Sequence, residues 1–246
     1  MSIPTLVTFC IYIVAMLGIG AVAWRATNSL DDYLLGGRTL GPGVTALSAG
    51  ASDMSGWLLL GLPGAVYVSG LSESWIVIGL VVGAFLNWTL VAKRLRLSTE
   101  SLGSVTLPDY FEARFKDGSK LLRIVSAMVI LLFFTFYASS GMVAGAKLFS
   151  ATFGFSYLSS LFLGAFVIVG YTTIGGFLAV SWTDFVQGMM MLFALVTVAV
   201  VMLFELHGPA QAVAALSAIN PDYTHLFKGA TAISVAGLLA WGLGYC

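Results

Sequence analysis

A short polar stretch inside an apolar part of the sequence carries the residues best suited to chemistry. Residues 48–57 read Ser-Ala-Gly-Ala-Ser-Asp-Met-Ser-Gly-Trp, and Asp53 is the only charged residue between positions 39 and 72. A carboxylate near the centre of a bilayer costs about 2.5–3.5 kcal/mol on insertion scales. Because most helices avoid this cost, Asp53 is the first candidate for a functional group. The alternative is a structural hydrogen bond or ion pair with a neighbouring helix.

The neighbours of Asp53 favour an interrupted helix. Gly50 and Gly56 weaken helical structure, and Ser48, Ser52 and Ser55 can bond to backbone groups that leave the helix. An unwound segment exposes carbonyl oxygens beside the carboxylate, and broken transporter helices use such oxygens to bind small alkali cations. A helix terminus at the break would also attract an anionic group of a substrate.

A second acidic residue, Asp184, follows Trp182 and Thr183 at the predicted boundary between two apolar segments. One interpretation is a helix cap stabilised by the positive end of the helix dipole. The other is a role in ion passage. Neither Asp53 nor Asp184 lies in a Gly-x-Gly-Asp pattern, so we do not expect an intramembrane aspartyl protease or any other enzyme.

The composition explains which elements must hold these acids. Of 246 residues, 59% are hydrophobic and 9% are charged, whereas an ordinary soluble domain carries about 25% charged residues. Most of the surface must therefore face lipid. The net charge is zero, which argues against a nucleic-acid partner. Cys10 and Cys246 lie at opposite ends of the chain and indicate neither a disulfide framework nor a metal cluster.

Charge-free windows predict a single all-α transmembrane domain with about seven spans. The predicted spans are 3–24, 41–70, 74–92, 122–148, 158–178, 185–206 and 229–246. The last one is incomplete, so we expect the chain to be a fragment that does not transport alone. A turn is expected at residues 154–156, and a capped helix start is expected at Thr106, three residues before Asp109.

Basic residues predict the orientation, because Lys and Arg are retained in cytoplasmic loops. Counting the predicted spans before each basic residue places only Lys147 and Lys228 on one side of the membrane. The other nine lie on the opposite side, namely Arg25, Arg38, Lys93, Arg94, Arg96, Arg114, Lys116, Lys120 and Arg123. We therefore expect a multi-pass protein of the cell membrane with its N-terminus outside and loop 93–121 in the cytoplasm.

A weak internal similarity hints at a repeat. Thr-Ala-Leu-Ser at positions 45–48 matches Thr-Ala-Ile-Ser at positions 231–234, and the same offset aligns Gly56 with Gly242. Five predicted spans separate the two segments, so a true repeat would have inverted orientation. Inverted repeats with sites on discontinuous helices are typical of secondary transporters.

Several motifs together resemble one family. They are Asp32-Tyr33, residues 35–38, residues 45–57, residues 61–65, residues 72–75, residues 107–111, residues 174–184 and residues 241–245. With them the chain resembles the N-terminal half of the sodium:solute symporter family, in its proline-transporting branch. The resemblance implies a five-plus-five inverted-repeat fold, like that of neurotransmitter:sodium symporters, preceded by one extra helix and truncated after the first repeat. It also implies sodium-coupled symport of L-proline by alternating access, with sodium as coupling ion and no other cofactor.

The resemblance assigns roles to individual residues. Sodium would be bound by Asp53 with backbone oxygens of Ala51 and Met54. The substrate would contact Ser55, Gly56, Trp57, Tyr137, Trp241 and Tyr245. Arg38 and Asp184 would act in coupling. From the residues alone, the aromatic side chains could equally pack or lie at the membrane interface, and Arg38 could be one more inside-positive residue.

Two other functions remain open at this point. The first is sodium-coupled transport of another small solute, such as a sugar, vitamin or carboxylate. The second is a symporter-like sensor module joined to a signalling kinase, which the sequence beyond the predicted seventh span would reveal.

Overall fold

The described part of the chain is almost entirely helical. The computed structural model describes residues 3–53, 56–227 and 232–244. The helices are α1 (Ile3–Ala26), α2 (Leu30–Leu35), α3 (Pro42–Asp53), α4 (Leu62–Ser69), α5 (Ser74–Leu86), α6 (Lys93–Ser101), α7 (Leu107–Phe115), α8 (Leu121–Phe153), α9 (Tyr157–Glu205), α10 (Pro209–Ile219) and α11 (Ala232–Leu243). No strand occurs within these ranges. The predicted all-α class is confirmed.

Four helical segments among the described residues are long and apolar enough to cross a membrane. They are Ile3–Ala26, Leu62–Ser101, Leu121–Phe153 and Tyr157–Glu205. The last, α9, has 49 residues and would measure roughly 74 Å if straight, more than twice a hydrocarbon core of about 30 Å. It is not straight, because Gly176 has φ 59° and ψ −152°. The predicted spans 158–178 and 185–206 both lie on α9, and the residues between them are helical.

Two local signals in the sequence are confirmed. Gly154 ends α8 in a left-handed conformation with φ 73°, and α9 begins at Tyr157. The Thr106 hydroxyl caps α7 by accepting the backbone amide of Asp109. In both places the residue types that favour an end or a start act locally, without help from distant contacts.

The chain forms two compact units, and the first comprises residues 1–56 and 105–193. In this unit α1 turns a narrow stripe of buried residues, Met16, Gly20 and Ala23, toward α9. A Cβ built on Gly175 would lie 3.1 Å from the Gly20 carbonyl oxygen. Close approach of this kind needs small residues on both helices. The Gln187 side chain adds a hydrogen bond of 2.6 Å to the Tyr12 hydroxyl.

The second unit comprises residues 57–104 and 194–246. In it α11 packs against α5. The loop after α10 covers the turn at residues 70–73, where a Cβ on Gly70 would lie 2.6 Å from the Tyr223 Cα. The Trp75 indole nitrogen donates to the Leu226 carbonyl at 3.0 Å. These contacts fix the start of α5.

Candidate functional site

Asp53 is the last described residue of α3, and its side chain is exposed. Within residues 3–53, 56–227 and 232–244, its carboxylate takes part in no hydrogen bond or ion pair. Ala51, one of the two residues expected to offer a carbonyl to sodium, is half-buried. Met54 and Ser55 lie outside the described residues. The break was predicted within residues 48–57, and residues 48–53 are α-helical, so the expected unwinding is wrong for that part of the stretch. The sodium ligands therefore remain a prediction.

The helical segment from Gly56 onward departs from α geometry. Residues Trp57–Gly61 form a π-helical turn, and α4 follows directly. Insertions of this type are rare and occur often at functional sites. The Trp57 ring lies directly against Gly61, where any Cβ would collide with it. The π turn shares only Trp57 with residues 48–57, where an unwound segment was predicted, and it is helical rather than unwound.

Asp184 is bound to α3 by two serine hydroxyls. Ser52 donates to its carboxylate at 2.8 Å and Ser48 donates at 3.1 Å. Ser48 and Ser52 are four residues apart and so lie on one face of the helix. One turn beyond Asp184, Gly188 faces Ala51 of α3, and a Cβ built on Gly188 would lie at van der Waals distance, 3.6 Å, from the Ala51 Cβ. Asp184 thus connects α9 to the turn of α3 that ends in Asp53.

Two predictions about these residues are wrong. Asp184 is not a helix cap, because it lies inside α9, eight residues beyond the kink at Gly176. Ser48 and Ser52 do not bond to backbone groups released by α3, because their hydroxyls donate to Asp184. The sequence did carry a signal for this contact, namely two serines at helical spacing in an apolar segment and one acid in another.

Tyr137, expected beside the substrate, contacts the same turn of α3. Its hydroxyl donates to the Ser52 carbonyl at 2.7 Å. A second contact between α8 and this region involves Gly56, where a Cβ would lie only 2.7 Å from the Ala144 Cβ. Gly56 therefore has a packing reason to be glycine, independent of any substrate. The Tyr137 ring remains 43% exposed, so part of its surface is available to a ligand.

Two of the aromatic residues expected beside the substrate, Trp57 and Trp241, contact each other in the second unit. The Trp57 and Trp241 ring centroids are 5.2 Å apart, with an interplanar angle of 62°. This edge-to-face arrangement is favourable for two aromatic rings. Both residues were expected beside the substrate, and their contact is compatible with that role. Tyr245 lies outside the described residues.

Arg38 lies in a left-handed turn that joins α2 to α3. Gly36, Gly37 and Arg38 all have φ near 60°. Glycine adopts this conformation without strain, but an arginine there costs about 1–2 kcal/mol. The Thr39 hydroxyl closes the turn by donating to the Gly36 carbonyl at 2.8 Å. Strained residues of this kind are concentrated at functional sites, which keeps Arg38 a candidate for coupling.

Comparison with known proteins decides the family. The model of the sodium:solute symporter family matches residues 33–246, which is most of the chain. The chain belongs to the sodium:solute symporter family. The family name describes transporters and not enzymes, and together with the apolar helices it supports a multi-pass membrane protein. Sodium:solute symporter membership also agrees with the resemblance found in the motifs.

Three relatives narrow the comparison. The sodium/proline symporter of Escherichia coli is 56% identical over 245 residues, covering 99% of this chain and 49% of the relative. The high-affinity proline transporter PutP of Bacillus subtilis is 55% identical over 231 residues, covering 94% and 49%. The osmoregulated proline transporter OpuE of Bacillus subtilis is 52% identical over 246 residues, covering 100% and 50%. The chain spans about half the length of these relatives. No solved structure matches.

Proposed function

We propose that this chain forms the ion- and substrate-binding first part of a sodium-coupled L-proline symporter. The observation that carries the proposal is its 56% identity, over 99% of its length, to a protein named sodium/proline symporter. The other relatives described above are also named for proline transport. Because the matched region covers 99% of the chain, we infer that the residues that bind the solute are retained.

The proposed architecture is the five-plus-five inverted repeat preceded by one extra helix. In that arrangement α1 is the extra helix, α3 opens the first repeat and α11 opens the second. The proposed orientation places the N-terminus outside and loop 93–121 in the cytoplasm, because six of the chain's eleven basic residues lie in that loop and a seventh, Arg123, lies just after it. The kink at Gly176 supports this scheme, because it divides α9 into two segments that could each cross a bilayer.

Sodium is proposed to bind at Asp53 with the backbone oxygens of Ala51 and Met54. Two contacts support a special role for this turn of α3: Asp184 accepts the Ser48 and Ser52 hydroxyls, and the Tyr137 hydroxyl binds the Ser52 carbonyl. Both tie neighbouring helices to the residues just before Asp53. Arg38 and Asp184 are proposed to act in coupling rather than as substrate ligands.

Proline is proposed to contact a set of polar and aromatic residues once sodium has ordered the helix after Asp53. The set is Ser55, Gly56, Trp57, Tyr137, Trp241 and Tyr245. Neutralisation of Asp53 by sodium would let the following backbone present its amides and carbonyls to the zwitterion. Thermodynamic reciprocity then requires that proline tighten sodium binding by the factor by which sodium tightens proline binding. The sodium gradient supplies the work, and no covalent step occurs.

Uptake into liposomes tests the function. The purified full-length protein is reconstituted, and labelled proline uptake is measured with an inward sodium gradient and with potassium in its place. We expect uptake above the external concentration only with sodium, and competition by unlabelled proline but not by a sugar or a simple carboxylate. Uptake that ignores sodium, or stronger competition by another solute, would refute the proposal.

A tryptophan pair separates substrate contact from packing. Trp241 and Trp88 are both 48% exposed, so replacing either with phenylalanine removes a similar indole surface. We expect Trp241→Phe to weaken proline binding and Trp88→Phe to leave it unchanged. Equal effects of the two substitutions would remove Trp241 from the proposed substrate site.

A further inference from the structure

A tyrosine of α2, Tyr33, contacts α9 at its kink. A helical carbonyl normally accepts the amide four residues later, so the carbonyls of Thr172 and Thr173 face amides at and just after the non-helical Gly176. The Tyr33 hydroxyl donates to the Thr173 carbonyl at 3.2 Å and lies 3.5 Å from the Thr172 carbonyl. It therefore provides a donor where the regular pattern of the helix is interrupted.

Tyr33 also fits the kink sterically. A Cβ on Gly176 would lie 2.7 Å from both the Tyr33 carbonyl oxygen and its ring atom Cδ2. Three residues further along α2, a Cβ on Gly36 would lie 3.3 Å from Phe177 and from Leu178. The helix α2 and the turn after it thus fill the angle of α9, and only glycine at position 176 permits the approach.

The helix that presents Tyr33 is fixed at both ends. Ser29 and Asp32 form a reciprocal capping box at its start, and Gly36 ends it in a left-handed conformation. Such caps each stabilise a helix by about 1 kcal/mol. A six-residue helix with two defined ends can act as a stiff support, although it is too short to be stable alone.

The position of Asp184 depends on the angle at this kink. Asp184 lies eight residues beyond Gly176, or roughly 12 Å along the helix. A change of about 10° in the kink would move it by roughly 2 Å. Its hydrogen bonds to Ser52 and Ser48 measure 2.8 and 3.1 Å, so a movement of that size would break them.

We propose that Tyr33 is a positioning residue of the symporter: its hydroxyl sets the angle of α9 and thereby holds Asp184 against α3. It touches neither ion nor substrate. This inference rests on the proposed sodium-coupled function for its transport readout. Loss of the hydroxyl should weaken sodium binding through Asp184 and leave proline binding at saturating sodium unchanged.

Sodium dependence of proline uptake tests the inference in the full-length protein. Tyr33→Phe keeps the ring in the kink and removes only the hydroxyl. The matched control is Tyr67→Phe, because Tyr67 is 83% exposed. We expect the sodium KM to rise roughly fivefold in Tyr33→Phe, the size expected for one hydrogen bond, and to stay constant in the control. An unchanged sodium KM, or an equal change in proline affinity at saturating sodium, would overturn the inference.

A double-mutant cycle distinguishes action through Asp184 from general destabilisation. In an Asp184→Asn background, Tyr33→Phe should cause no further rise in the sodium KM, since the group that it positions has already been changed. The same fivefold rise in both backgrounds would show that Tyr33 acts independently of Asp184 and would overturn the inference.

A distance measurement is independent of transport. Spin labels at Phe166 and Phe193 lie on either side of the kink, at positions 78% and 63% exposed, in a variant without the native cysteines. Tyr33→Phe should shift or broaden the distance distribution, and Tyr67→Phe should not. An unaltered distribution would overturn the inference. Absence of sodium-driven uptake together with a broadened distribution would refute the proposed function and leave the positioning of α9 supported.

Discussion

The contact between Gly56 and Ala144 allows a prediction that separates packing from substrate binding. In Gly56→Ala the new Cβ would lie 2.7 Å from the Ala144 Cβ, whereas methyl groups normally approach to about 3.5–4.0 Å. Relief requires a shift of about 1 Å, and overpacking of this kind costs about 1–3 kcal/mol. Alanine recovers about 1 kcal/mol of helix propensity. The net result should be a loss of up to about 2 kcal/mol in the free energy of unfolding, measured by denaturation in detergent micelles.

The exchange variant Gly56→Ala/Ala144→Gly provides the control. It removes the overlap while keeping the number of methyl groups, so it should be at least about 1 kcal/mol more stable than the sum of the single variants predicts. Proline affinity then shows whether Gly56 also contacts substrate. Strict additivity of the two substitutions, or a Gly56→Ala variant more stable than the parent, would refute the steric reasoning.

Three further predictions concern stability. Ser52→Ala removes a donor to the Asp184 carboxylate and should cost about 1 kcal/mol or more in the free energy of unfolding. The control is Ser126→Ala, which should cost clearly less because the Ser126 hydroxyl donates to carbonyls of its own helix, α8. Equal losses in the two variants would contradict a stabilising role for the contact between Ser52 and Asp184. Lys116 ends α7 with φ 51°, a conformation that glycine adopts without strain, so Lys116→Gly should raise the melting temperature. Lys147→Gly inside α8 should lower it, because glycine destabilises the middle of a helix. A change of the melting temperature in the same direction for both variants would contradict the strain at Lys116. A hydrogen bond from the Ser119 hydroxyl, with backbone amides that include Leu122, holds the pKa of Asp117 below its ordinary range. A carboxylate whose pKa is lowered by folding stabilises the folded state above its unfolded pKa, and that stabilisation is lost as the pH falls through its folded pKa. Hydrogen-exchange protection of the Leu122 amide should therefore decline in acid. In Asp117→Asn the protection of this amide should not depend on pH in the same range.

Local features of the fold were predictable because their causes are local. Gly154 and the Thr106 cap act through their own backbone conformation and nearest amides, so residue type and spacing sufficed. The same holds for the apolar windows that became α1, α8 and α9. The kink at Gly176 was only partly predictable. Adjacent glycines at 175–176 permit close packing, which Gly175 makes with α1, but the kink at Gly176 needs the contact with Tyr33 as well.

Long-range contacts were not predictable from the sequence. The hydrogen bonds from Ser48 and Ser52 to Asp184 join residues more than 130 positions apart. The local sequence does not determine whether a serine hydroxyl donates to a nearby carbonyl or to a distant carboxylate. The pairing of Tyr33 with the kink has the same character. The family resemblance implied that Trp57 and Trp241 lie beside the substrate, and the contact between their rings is a finding of the structure. Sequence thus indicated which residues of the candidate site are unusual, and the structure indicated which of them touch.

Direct measurement of sodium binding tests the central claim that Asp53 is kept in an apolar segment to bind the coupling ion. Radiolabelled sodium is titrated against the full-length protein, Asp53→Asn and, as a control with the same chemical change, Asp31→Asn on the exposed side of α2. The account predicts that Asp53→Asn weakens sodium binding roughly tenfold or more, equivalent to about 1.4 kcal/mol, while Asp31→Asn binds as the parent does. Unchanged sodium affinity in Asp53→Asn would contradict it.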